Sequence, residues 1–209
     1  MTVTREHAAA FAQLGSATLG ESGGHPMAPR MKAAWLGAHI SAPAYPVTCA
    51  AGDNLAIHVA VAEAPAGYVL VASVGTEPER GYWGEVLTTG AEARGIVGLV
   101  IDGGVRDVSA LEAHKFPAFS STIALRGATK MHPGRVGGYS LVGDVLVHQG
   151  DWIVADADGV TVVPLAQIDD VLAAGQEREA KERWYFEELR AGRTTVELLK
   201  LDTKLIIRD

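Results

Sequence analysis

Two carboxylates and a guanidinium carry the clearest chemical potential in this sequence. Gly84-Glu85 stands in "GYWGEVL", and Arg106-Asp107 follows the apolar run and glycines of "GLVIDGGVRD". Arg106 offers a planar fork that matches a carboxylate. Asp107, on a loop after an apolar run, is placed to bind a hard cation such as Mg²⁺. Such a cation prefers oxygen ligands, keeps most of its waters and needs only one or two carboxylates. Glu85 is a second carboxylate, able to hold metal-bound water. Gly84-Glu85 also sits where a helix should begin, and free N–H groups there attract anions that a glycine lets approach closely. Plainer roles fit the same residues. Asp107 can simply cap the helix "VSALEAH", and Glu85 can serve the dipole of its own helix.

"GDNL", residues 52–55, is a third acidic helix start after a strand, with Asp53 or Asn54 reading as an N-cap. Three such starts predict a shared cleft at one sheet edge, where α/β folds bind ligands. Other chemistries lack their signatures. The chain has no GxSxG, GxxxxGK[ST] or GxGxxG motif. Its seven histidines show no HxxxH or HxH spacing, which disfavours a histidine-rich zinc site. His58, within the apolar "LAIHVAV", reads as a core or interface histidine. No lysine lies in a clearly apolar stretch to form a Schiff base, Lys130 being in a polar loop.

The elements that must position these groups follow from periodicity and breakers. "REHAAAFAQLG" predicts a short helix ending at Gly15, and "ESGGHPMAPRM" a loop. "AYPVTCA", "YVLVAS" and "IVGLVID" read as strands, the last ending at Asp102 before a glycine turn. "GDNLAIHVAVAEAPAG" and "GEVLTTGAEARG" read as helices, with "GTEPERGYW" a loop between strand and helix. This alternation predicts an α/β arrangement with parallel pairing. After residue 115, "FPAFSST", "GYSLVGDVLVHQG", "DWIVADADG" and "VTVVP" read as strands in antiparallel or mixed pairing. Pro164 precedes a long helix from Leu165, on which Ile168, Val171 and Leu172 share a face. That helix turns polar and then carries Trp184, Tyr185 and Phe186, suited to packing on another subunit or back on its own domain.

With 209 residues, 48% hydrophobic and 21% charged, the chain can bury a sizeable core. Its net charge of −7 argues against a nucleic-acid partner, though a local cluster of donors can still bind a small anion. No apolar run approaches the ~18 residues of a membrane span. The lone Cys49 excludes an internal disulfide, and Arg5, Glu6 and His7 interrupt any signal-like N-terminus. A cytoplasmic protein is therefore expected.

Taken in order, Gly84-Glu85, "GDNLAIH", "RGIVGLVIDGGVRD" with its Arg106-Asp107, "RGATK" and "GDWIVADADGVTVVP" resemble the family of 4-hydroxy-4-methyl-2-oxoglutarate aldolases and RraA-like proteins. The resemblance runs from about residue 13 to 175, and "EELRAGRTTVELLKL" looks like the tail of the aldolase branch. It implies an αββα-type sandwich with mixed sheets over residues 1–164. Residues 165–209 would be a C-terminal helical extension on a neighbouring subunit of a homotrimer or homohexamer. It implies a metal-dependent, class II pyruvate aldolase acting on a 4-hydroxy-2-oxo acid, with oxaloacetate decarboxylation as a side activity. In that scheme Asp107 binds Mg²⁺ or Mn²⁺, Glu85 holds metal-bound water and Arg106 contacts the keto acid. Gly84 and the backbone of Val86 and Leu87 receive the substrate carboxylate, and Glu179 or Glu182 of a neighbour positions a water. The family also contains non-enzymatic regulators of an RNA-processing nuclease. These tend to lack the Asp after the Arg, and often have an acidic residue three positions beyond it, where this chain has Ala110. Tyr68 and "ATKMHPGRVGG" depart from the family pattern near where substrate substituents would lie.

Overall fold

Three apolar runs become neighbouring parallel strands in the computed structural model, which describes residues 5–207. They are β3 (Ile40–Thr48), β4 (Val69–Ser73) and β6 (Gly98–Val105). The full order begins with α1 (Arg5–Gly20), the two-residue strands β1 (His25–Pro26) and β2 (Lys32–Ala33), and β3. Next come α2 (Leu55–Glu63), β4, β5 (Gly81–Trp83), α3 (Glu85–Ala93), β6, α4 (Val108–His114) and β7 (Ala118–Ile123). The chain continues through β8 (Arg135–Val136), β9 (Tyr139–Val142), β10 (Val145–His148), β11 (Trp152–Ala155) and β12 (Val160–Val163). It ends in α5 (Ile168–Arg190) and α6 (Thr195–Leu198).

One ten-stranded sheet curls into a half-barrel. Strand β3 is its bend. Residues 40–43 pair antiparallel with β11, whereas residues 44–48 pair parallel with β4. Pro43 and Pro46 fall in this strand, where each removes a donor from the ladder. The curled sheet thus supplies both β layers of the expected αββα sandwich. Three apolar clusters are the three seams between layers. The first joins α2, α3 and α4 to one face of the parallel strands, through Ile57, Leu87, Leu99 and Leu111. The second fills the inside of the curl, from Val71 and Val100 to Ile153 and Val162. The third packs Phe11, Leu14 and Leu19 of α1 against Trp152, Val163, Ile168 and Val171. Burial of such side chains contributes about 1.5–3 kcal/mol each, so the seams hold most of the fold. No described helix is long and apolar enough to cross a membrane.

Several local expectations change. Helix α1 does not end at Gly15; it kinks there (φ 77°) and resumes to Gly20, because Phe11, Leu14 and Leu19 must all reach the same seam. The loop "GTEPERGYW" ends in strand β5, and "ESGGHPMAPRM" contains β1, which pairs with β12. Strand β6 does not stop at Asp102 for a glycine turn. It runs on to Val105 through a bulge. Gly104 serves close packing there, since a Cβ would strike the Arg80 carbonyl and come within 2.9 Å of Ala124 Cβ. The parallel register also extends past residue 115, because β7 lies parallel to β6. Arg94 stands at the C-cap of α3.

Asp53 does more than cap a helix. It is buried, and Oδ1 accepts from Leu55 N at 2.8 Å. Its Oδ2 gathers Thr129 Oγ1, Met131 N and His132 N at 2.6–3.1 Å, with the His132 ring alongside. The N-cap itself is Asn54, whose side chain makes no capping bond. Burial opposes ionisation of Asp53, but these donors outweigh it and hold the carboxyl well below its usual value. Asp53→Ala should leave several buried donors unpaired and cost about 2–4 kcal/mol in urea unfolding. Because the folded-state pKa is depressed, the contribution is complete above about pH 5 and is lost as pH falls below the unfolded value near 3.9. Asp53→Asn should therefore flatten the acid limb of stability against pH.

Candidate active site

The C-terminal ends of β5 and β6 deliver Gly84-Glu85 and Arg106-Asp107 to the same corner. Strand β5 pairs in parallel with β6, and Arg106 N donates to the Trp83 carbonyl at 2.9 Å. Helices α3 and α4 start immediately afterwards, so both N-termini face this corner. Asp107 stands at the N-cap position of α4 but does not cap it. Its backbone is left-handed (φ 55°, ψ 37°) and its side chain makes no capping bond. The carboxylate instead crosses to α3, where Oδ2 accepts from Glu85 N at 3.1 Å. A left-handed conformation is uncommon for a residue with a Cβ and marks backbone strain held by its surroundings. Gly84 permits this crossing. Its backbone is extended, so close approach rather than dihedral angle demands the glycine. A Cβ there would clash with Asp107 Oδ2 and lie 3.1 Å from Arg106 Cγ.

The groups so placed are unusually free. Asp107 Oδ1 has no hydrogen-bond partner among the described residues. Among the described residues the Arg106 guanidinium makes one ion pair, with the Asp107 carboxylate, Nε lying 3.8 Å from Oδ2. Both side chains are somewhat more than 40% exposed. At the start of α3, Val86 and Leu87 are the second and third helical residues, whose N–H groups have no intrahelical acceptor. Gly84, Val86, Leu87, Arg106 and Asp107 line one cleft of about 250 Å³.

The cleft has a further wall. The "GDNL" start reaches it through Asn54, as a cleft shared by three acidic helix starts predicts, and His58 and Lys130, which the sequence did not assign to it, line it too. Asn54 is 5% exposed; Nδ2 donates to the Tyr82 carbonyl at 2.8 Å, which leaves Oδ1 buried without a partner. Burial and the Lys130 charge lower the His58 pKa, with Asp53 opposing. Lys130 arrives on a loop stitched to the acidic helix start. Thr129 N donates to the Gly52 carbonyl at 2.8 Å, Asn54 N to the Thr129 carbonyl at 2.9 Å, and Asp53 holds residues 129–132. The signal was present in "GDNL" and "RGATK"; what could not be read was that one closes over the other.

Glu85 contributes its backbone to the corner, but its side chain leaves. Oε1 lies 3.7 Å from His114 Nε2, and Glu85 does not line the cleft. Glu179 and Glu182 are engaged on their own helix, with Arg183 and Arg178, and Glu179 also takes Gln13. No group of three or more His, Cys, Asp or Glu side chains among the described residues could enclose a metal ion. A cation at this corner would therefore rest on Asp107, waters and ligand oxygens.

The model of the RraA-like family, described as Aldolase/RraA, matches residues 12–162. The chain belongs to this family. A relative from Halalkalibacterium halodurans, provisionally named a 4-hydroxy-4-methyl-2-oxoglutarate aldolase, is 37% identical over 138 residues. That match covers 66% of each chain, a little under two thirds of the relative's length. Among solved structures, an uncharacterised protein from Pseudomonas syringae pv. tomato superposes with a TM-score of 0.83 at 25% identity, covering 93% of this chain and 92% of that one. RraAS2 of Streptomyces coelicolor, described as an unusual member of the RNase ES inhibitor RraA protein family, superposes with a TM-score of 0.76. It is 23% identical, with 90% of this chain and 100% of that one covered. The RraA-like fold therefore spans nearly the whole chain.

If Asp107 is strained for the sake of its carboxylate, removing the side chain should not destabilise the protein. Asp107→Gly, which adopts φ 55° freely, is expected to leave the unfolding free energy unchanged or raise it by up to about 1 kcal/mol. Asp107→Ala keeps the strain and loses the bond to Glu85 N, so it should lie below the glycine variant in the same urea titration.

Proposed function

We propose that this RraA-like chain is a divalent-metal-dependent pyruvate aldolase, cleaving a 4-hydroxy-2-oxo acid of the 4-hydroxy-4-methyl-2-oxoglutarate or 4-carboxy-4-hydroxy-2-oxoadipate type. The observation that carries the reading is the pairing of an uncommitted guanidinium with a half-free carboxylate over the open N-terminus of α3. Both groups keep unused hydrogen-bonding capacity where they line the cleft.

Each residue has a role that its position supports. The Val86 and Leu87 N–H groups suit the C1 carboxylate, a use of helix starts that requires the bare backbone Gly84 leaves beside them. Arg106 donates to the keto oxygen. That interaction strengthens as the C3–C4 bond breaks and negative charge collects on the oxygen of the departing pyruvate unit, which is how a preorganised donor lowers a barrier. The same charge develops on loss of CO₂ from oxaloacetate, so decarboxylation is the natural side activity. Lys130, His58 and Asn54 face whatever is attached beyond C3, and Lys130 favours an anionic substituent there.

The donor set fits Mg²⁺ or Mn²⁺. It is all oxygen, it has one protein carboxylate oxygen without a partner, and the exposure of Asp107 leaves room for water. Asp107 would hold the ion, with Glu85 reaching one of its waters. The ion's chemistry is that of a Lewis acid at the keto acid's oxygens. Exposed apolar side chains support assembly into a homotrimer or homohexamer. Val86, Leu125 and Met131 are each more than 80% exposed, and Leu205 and Ile207 of the C-terminal segment are equally bare.

A coupled pyruvate-release assay over a panel of 4-hydroxy-2-oxo acids, with and without Mg²⁺ or Mn²⁺, tests the reading. Wild-type turnover should require the ion, and Asp107→Ala should abolish it without loss of the folded state. Arg106→Lys should lose at least about 10²-fold in kcat, because a point charge cannot replace the fork. Pyruvate release that ignores both EDTA and these substitutions would overturn the assignment. The alternative, a regulator that binds an RNA-processing nuclease, predicts instead that EDTA-stripped protein inhibits the nuclease while releasing no pyruvate from any substrate.

A further inference from the structure

The side chain of Glu85 is held by a contact that the proposed chemistry does not use. His114, in the last turn of α4, lies between two carboxylates of α3. Its Nδ1 is 2.8 Å from Glu92 Oε2, and its Nε2 is 3.7 Å from Glu85 Oε1. Glu85 and Glu92 are seven residues apart, close to two helical turns, so both lie on the face of α3 that meets α4. The short Glu92 bond fixes the ring and leaves Nε2 directed at Glu85. Donating a hydrogen bond to Glu92 raises the His114 pKa, with Glu85 adding to it, and the C-terminal end of α4 also favours a cation. The residues on either side of Glu85, Gly84 and Val86, line the cleft, yet Glu85 does not.

We propose that His114 is a positioning residue that draws the Glu85 carboxylate off the cleft, with Glu92 as its anchor. The inference rests on the reading above, in which Glu85 reaches a water of the cation on Asp107. The Glu85 backbone is fixed by its bond to Asp107, so its single carboxylate must divide its time between His114 and the cleft. His114 therefore sets how readily the cleft takes a divalent ion, without touching ion or substrate.

Calorimetric titration of the full chain with Mn²⁺ alone tests this without reference to turnover. His114→Asn keeps a donor near the Nδ1 position for Glu92 but cannot reach Glu85. It should bind Mn²⁺ between about 1.5- and 5-fold more tightly than wild type, the range open to an exposed ion pair. His114→Gln, which is neutral and gives up the Nδ1 bond to Glu92, should behave like His114→Asn. In a Glu85→Gln background the His114→Asn effect should vanish, since the two residues act through one contact. Glu92→Gln, which weakens the bond that holds the ring against Glu85, should move affinity in the same direction as His114→Asn. Unchanged or weaker binding by His114→Asn and Glu92→Gln overturns the inference alone, as does a gain that persists in the Glu85→Gln background. A wild-type chain that takes up no Mn²⁺ overturns the metal reading and this inference with it.

Discussion

A single carboxylate links the starts of two helices, and the cleft depends on that link. By position Asp107 belongs to α4, which it would cap in an ordinary chain. Its oxygen is given to the first N–H of α3 instead. The exchange requires a left-handed backbone at Asp107, a bare Gly84 beneath the carboxylate, and the Arg106 N–H tied to the Trp83 carbonyl so that β5 and β6 end together. The first two of these are unfavourable by themselves. They persist because Trp83 is fully buried, its indole stacked on Phe116 with Nε1 bonded to Thr88, which anchors the end of β5 to the core. Local strain is thus set against burial some residues away.

The curl of the sheet places that corner. A flat parallel sheet would present one cleft at the ends of its strands and an unpaired edge at each side. Here β3 changes partner midway, so the chain after β7 returns as an antiparallel layer behind the parallel one, with α1 and α5 covering its far face. The segment between β7 and β8, residues 124–134, must cross the parallel layer, from β7 on one side of β6 to the second half of β3, where β8 pairs with Val47 and Thr48. It does so over the cleft, stitched to Gly52, Asp53 and Gly81. Lys130 therefore lines the cleft because of that crossing.

This history explains which parts of the molecule were legible in the sequence. Strands β4 and β6 and helices α2 and α3 were readable because their periodicity is local and their breakers stand at their ends. The Gly84-Glu85 and Arg106-Asp107 pairs were readable as candidates for the same reason. What stayed hidden depends on contacts distant in sequence. Gly15 reads as a stop until the third apolar seam requires Leu19 to bury beside Phe11. Gly103-Gly104 reads as a turn until Arg80 and Tyr82 are brought against β6. Asp53 reads as a cap because the local rule is satisfied, by Leu55 N; its larger duty lies 76–79 residues away. His58 reads as a core histidine because the helix around it is apolar, and it is indeed half-buried, but the wall it is buried in is that of the cleft.

The electrostatic balance of the cleft follows from the same arrangement and runs against that of the chain. The protein carries a net charge of −7, yet the cleft lining has Arg106 and Lys130 against one carboxylate, Asp107, with the N-terminus of α3 adding its partial positive charge. Asp53, which would cancel that excess, is saturated by four donors and turned into the loop. Glu85 is turned toward His114. Of the three acidic helix starts, Asp53 is thus spent on structure and Glu85 is turned aside, so Asp107 alone among them presents a free carboxylate oxygen to the cleft. At physiological ionic strength surface charges are screened beyond about 8 Å, so an approaching anion senses this local excess more than the acidic remainder of the surface. The same screening leaves contacts inside the cleft largely intact. A small anion is therefore attracted at the distance where recognition happens, while the free oxygen of Asp107 gives the lining a negatively charged point that receives a cation.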